Sequence, residues 1–109
     1  GIANYWLSIQ DKIRYFEEVS LQSCSAIYGA GVYGNFIAAN LKDLVGVDCF
    51  VDQNPLLQGT KLLDRDIVLP ENLPDGVDTI YVGLNPNIAG KVISDISVWK
   101  QRNLRFLFL

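Results

Sequence analysis

Apolar residues recur at intervals of three and four near the start of the chain, where Trp6, Ile9, Ile13 and Phe16 line one face of a helix predicted over Asn4 to Val19. Asn4 is its expected cap. A short apolar segment, Ser25 to Tyr28, then runs straight into Gly29 and reads as a strand. Helical spacing resumes with Val32, Tyr33, Phe36, Ile37, Leu41 and Leu44, and Gly46 is the expected stop. Val47 to Val51 gives a second strand that ends at Asp52. Two strands joined by one helix predict a parallel pair, with the helix covering one face of the sheet.

The pattern breaks between Gln53 and Gly76, where Pro55, Gly59, Pro70, Pro74 and Gly76 interrupt any long period. Only Ile67 to Leu69 reads as a strand there, and no full helix is expected. Thr79 to Val82 forms the next strand. Ile88, Val92, Ile93, Ile96 and Trp99 then mark one face of a helix, opened by Asn85-Pro86-Asn87 as cap and first-turn proline. Leu104 to Phe108 closes the series as a strand. Trp6 and Trp99 are assigned to the core. The order of elements predicts one α/β domain over residues 1–109, a three-layer α/β/α sandwich around a mostly parallel sheet of about five strands. An extra N-terminal helix, 4–19, precedes a core spanning 25–109.

Composition narrows the function. The 109 residues are 50% hydrophobic, enough for one core and too few for two domains. A formal charge of −3 gives no electropositive surface, which argues against nucleic acid and anionic lipid as partners. No apolar run approaches the roughly 20 residues that cross a bilayer, and no basic-then-apolar leader is visible, so a cytoplasmic setting is expected. Cys24 and Cys49 sit in apolar segments and are expected as free thiols. The chain has no histidine, which removes the usual Ser-His and Cys-His pairs and one common metal ligand. Glu17 and Glu18 read as the solvated side of the first helix, and Lys42, Lys91 and Lys100 as polar helical faces. The stretch alone is therefore not expected to be catalytic. It contains no methionine, so it is expected to be a piece of a larger polypeptide that holds the chemistry.

One motif carries a binding chemistry. Gly29-Ala30-Gly31-Val32-Tyr33-Gly34 matches G-x-G-x-x-G, with a strand before it, a helix starting inside it, and Asp52 at the end of the next strand. Gly29 permits the sharp turn, Gly31 lets a pyrophosphate touch the backbone, and Gly34 lets helix and strand pack closely. Free N–H groups and the positive end of the helix dipole would hold an anion at Ala30 to Tyr33 without any lysine or arginine. Asp52 is suited to accept from a ribose diol and to repel a 2′-phosphate, which favours NAD over NADP if the ligand is a dinucleotide. Gly83 follows another strand and joins the candidate ligand contacts, while Asn85 beside it reads as a helix cap. The competing reading makes the glycines a compact turn and Asp52 a solvated loop acid.

The run Ala26-Ile27-Tyr28-Gly29-Ala30-Gly31, with Phe50-Val51-Asp52-Gln53-Asn54-Pro55, Gln58-Gly59 and Leu69-Pro70-Glu71-Asn72-Leu73-Pro74, resembles a Rossmann-like module of bacterial surface-polysaccharide enzymes. Similar modules occur in sugar acyltransferases, in nucleotide-sugar dehydratases and epimerases, and beside polysaccharide methyltransferases. The resemblance covers residues 25–108. It implies that Gly29, Gly31, Gly34 and Asp52 contact a nucleotide, either a nucleotide-sugar or NAD, and that a catalytic domain of the same polypeptide makes the parent a transferase or an NAD-dependent sugar-modifying enzyme. Acyltransferases of this type continue into hexapeptide repeats with a catalytic histidine, and dehydratases into a domain with Tyr and Lys; neither lies in this stretch. Gln53 stands where many relatives carry a second acid. Two other readings stay open: an accessory or dimerisation domain that keeps the fold without ligand, in which case a homo-oligomer is expected, and part of an S-adenosylmethionine-dependent methyltransferase.

Overall fold

The computed structural model describes all residues, Gly1–Leu109. Helix α1 spans Ile2–Val19, β1 Ser25–Tyr28, α2 Val32–Asn40 and β2 Val47–Val51. Then come β3 Lys61–Leu62, β4 Arg65–Val68, β5 Thr79–Val82, α3 Pro86–Ser94 and β6 Arg105–Phe108, with single 3-10 turns at Pro55–Leu57, Pro70–Asn72 and Ser97–Trp99. The six strands form one sheet in the order β3-β4-β2-β1-β5-β6, parallel except for β3. An α/β chain with three helices and a mostly parallel sheet is compatible with a Rossmann-like fold.

The central strands explain their own position. β1 and β5 are buried at every residue, as strands covered on both faces must be, and their near-continuous apolar sequences meet that demand. Alternate side chains go to opposite faces. Ala26, Tyr28, Cys49, Val51, Ile80 and Val82 pack with Ala89 and Ile93 of α3 and with Trp99. Ile27, Phe50, Ile67, Tyr81 and Leu107 pack with Ile9 and Ile13 of α1 and with Ile37 and Ala38 of α2. Ile13 and Phe50 are fully buried, each worth about 1.5–3 kcal/mol of transfer free energy. Helix α1 is thus part of the core rather than an appendage.

Several expectations change at the edges of elements. The sheet has six strands, not five, because Leu63 and Asp64 both take positive φ (51° and 62°) and fold Lys61–Leu62 back on Arg65–Asp66. Leu63 does not advertise such a turn, although aspartate tolerates the left-handed region. β4 begins at Arg65, two residues earlier than Ile67, and β6 at Arg105 rather than Leu104. α1 begins at Ile2 with Gly1 at the cap position, so Asn4 lies inside the helix. α2 stops at Asn40, where Leu41 turns extended; Leu41 and Leu44 still pack on the same cluster from irregular chain, and Gly46 does not end the helix. Glu17 of α1 explains how that chain is held: its carboxylate accepts from the Lys42 and Asp43 amides at 2.7 and 3.0 Å, so it is half-buried rather than solvated. α3 ends at Ser94, leaving Ile96 and Trp99 buried beyond it and Ile88 exposed on it. Trp6 is only half-buried, at the rim, whereas Trp99 is in the core and donates its indole N–H to the Pro70 carbonyl.

No helix is long and apolar enough to cross a membrane. Cys24 and Cys49 are free thiols.

Candidate functional site

Chain direction creates one special place in this sheet. From β1 the chain passes through α2 to β2 on one side, while β5, on the other side of β1, leads through α3 to β6. α2 and α3 belong to different packing clusters, so the chain leaves the carboxyl ends of β1 and β5 in opposite directions. In open α/β sheets such a divergence opens a crevice that receives ligands.

Gly29 to Gly34 and Gly83 line that place. Gly29 has φ +96°, a conformation that a side chain would strain. A Cβ on Gly34 would overlap the Gly29 carbonyl oxygen, and one on Gly83 would come within 2.7 Å of Gly34 Cα and 2.8 Å of the Tyr28 carbonyl oxygen. Three glycines therefore interlock backbone to backbone. Gly83 is buried beneath the turn, with its N–H donating to the Tyr28 carbonyl at 2.8 Å, so it packs under the turn rather than facing solvent. Gly31 behaves differently. It is exposed, it is the residue from which α2 springs, and nothing lies within 4 Å of a Cβ built on it.

The first-turn amides of a helix have no intrahelical acceptor. Here the N–H groups of Gly31, Val32 and Tyr33 find no acceptor elsewhere in the protein, and Gly31 and Val32 are exposed. Ala30 differs, because its N–H donates to Asp52 Oδ2 at 2.9 Å. The other oxygen, Oδ1, accepts from the Asn54 amide at 2.9 Å. Asp52 thus anchors both the glycine turn and the start of the following loop. Each carboxylate oxygen has a second lone pair, so capacity for a diol remains. Asn35 completes the turn from the helix side, its Nδ2 donating to the Gly31 and Ala30 carbonyls at 2.8 and 3.2 Å.

Beside the turn, Tyr28 is buried and its hydroxyl accepts from Gln53 Nε2. Burial raises the Tyr28 phenol above its ordinary value, with the Gln53 hydrogen bond opposing and Asp52 adding to the rise. Tyr33 packs against Trp6. Asn85 caps α3 by accepting from the Asn87 amide at 2.9 Å, its expected task. No three His, Cys, Asp or Glu side chains gather as a metal-binding group.

The residues singled out by the motif therefore come together, with Gly83 below them. Two contributors were not foreseen. Asn35 carries a readable signal, since an asparagine four residues after the cap can bond back to it. The Gln53–Tyr28 contact, 25 residues apart, has none. No family model matches the chain, and no curated protein or solved structure matches it.

Proposed function

We propose that this chain is a Rossmann-like three-layer domain that binds a nucleotide, a nucleotide-sugar or NAD, on behalf of a sugar-modifying enzyme. The diphosphate lies on the Gly31, Val32 and Tyr33 amides, and Asp52 accepts from the ribose. One observation carries the reading: the space at Gly31 is open, and the Gly31, Val32 and Tyr33 amides have no acceptor in the protein. A helix N-terminus stabilises a nearby anion by roughly 0.3–1 kcal/mol when exposed, and the close backbone approach that Gly31 allows adds direct hydrogen bonds. The parent reaction rests on the sequence resemblance alone.

Thermal melting with NAD, UDP-sugars, nucleoside diphosphates and S-adenosylmethionine tests this directly. A ligand at 100 times its Kd adds about 2.7 kcal/mol, a rise of roughly 10–20 °C for a domain of this size. Gly31→Val should abolish that rise while melting like the parent without ligand, because its side chain enters open space. A variant that still binds normally would put the phosphates elsewhere.

A second reading, a ligand-free docking domain, is favoured by one observation: Asp52 already bonds two main-chain amides. Silence across the whole panel would select it.

A further inference from the structure

Gly31 borders a second feature. Together with Val32, Asn35 and Phe36 of α2 and Trp6 of α1 it lines an open groove that contains no charged side chain. Asp52 accepts from the Ala30 amide, and the next residue, Gly31, itself lines the groove. A ligand with its ribose at Asp52 and its diphosphate over Gly31 therefore delivers whatever the distal phosphate carries to Trp6.

The groove's chemistry limits what that group is. Trp6 stacks at an angle on Phe36, with ring centroids 4.6 Å apart, and the half-buried indole keeps part of its surface in the groove. Asn35 uses Nδ2 on the two turn carbonyls, which leaves Oδ1 as an acceptor with no partner. A flat aromatic surface with one side-chain acceptor and no charge suits a neutral ring that has an apolar C–H face and hydroxyl donors at its edge. We propose that the groove takes the sugar ring of a nucleoside diphosphate sugar, stacked on Trp6 with a hydroxyl donating to Asn35. This rests on the nucleotide reading above and chooses the nucleotide-sugar over NAD.

The test compares UDP with UDP-glucose, and ADP-ribose with NADH, by calorimetry on the intact chain. The quantity read is the ratio of Kd for UDP to Kd for UDP-glucose. It should be about ten in the parent, fall to about one in Trp6→Leu, which keeps apolar packing on Phe36, and recover in Trp6→Phe. A ratio untouched by Trp6→Leu, or already near one in the parent, overturns the inference while leaving nucleotide binding intact. A Trp6-dependent gain for NADH over ADP-ribose, with none for UDP-glucose, also overturns it. If no nucleotide binds, the nucleotide reading falls, and NMR titration with methyl glucoside decides the groove alone: a shift of the Trp6 indole N–H signal supports a sugar platform, and a still signal removes it.

Discussion

Gly31 and Gly83 differ in what surrounds them, and this separates the proposed binding from stability. A methyl on Gly83 meets only backbone, at Gly34 and Tyr28, which has no room to yield. Gly83→Ala should therefore cost at least about 1–3 kcal/mol, read as a lower denaturant midpoint at unchanged slope. An unchanged midpoint would mean the interlocked glycines relax freely. Asp52 joins the two roles. Exchange for asparagine leaves one acceptor oxygen for two amides, so either Ala30 or Asn54 loses its partner, at about 1 kcal/mol. If Asp52 also meets the ribose, Asp52→Asn lowers the ratio of Kd for NADP to Kd for NAD, because the charge that repels a 2′-phosphate is gone. A ratio that does not move takes Asp52 out of ribose recognition.

Whole elements were legible where local pattern and tertiary demand agree. β1, the glycine turn, β2, β5 and the Asn85-Pro86 start of α3 all carry their own signals, and so the turn and Asp52 could be brought together on paper. Boundaries were lost where long-range contacts decide. Leu41 and Leu44 keep helical spacing yet sit in irregular chain held by Glu17, whose partners are 25 and 26 residues away. Trp99 continues the α3 spacing from a separate 3-10 turn. The β3–β4 hairpin was invisible because leucine and aspartate occupy its two left-handed positions, where asparagine and glycine are the usual choice. That mismatch predicts a gain: Leu63→Asn with Asp64→Gly should raise stability by about 1 kcal/mol, visible as a higher midpoint. A lower midpoint would show that the half-exposed Leu63 side chain contributes more packing than its backbone loses.

Across the whole molecule, alkaline pH probes the core. Burial pushes the Cys49 thiol from 9.0 up to about 12 and the Tyr81 phenol from 10.0 up to about 12. For both, the folded protein holds the proton more tightly than the unfolded chain, so their contribution is complete below pH 9 and is lost as pH rises toward 12. Unfolding free energy measured by denaturant should fall steadily from about pH 9 upward, and Cys49→Ala should flatten the first part of that decline once its lower baseline is subtracted. An unaltered slope would place the thiol in water.

The strand order has a kinetic consequence. β1 sits at the centre, yet its two neighbours arrive at very different times, since Ser25 pairs with Val47 on one side and with Thr79 on the other. As the polypeptide emerges from its N-terminus, β1 and β2 can pair while the opposite edge of β1 stays bare until β5 is made. Closing that long span is entropically slow, and an apolar parallel edge left waiting is open to pairing with other chains. Any piece of this protein cut before Thr79 should aggregate.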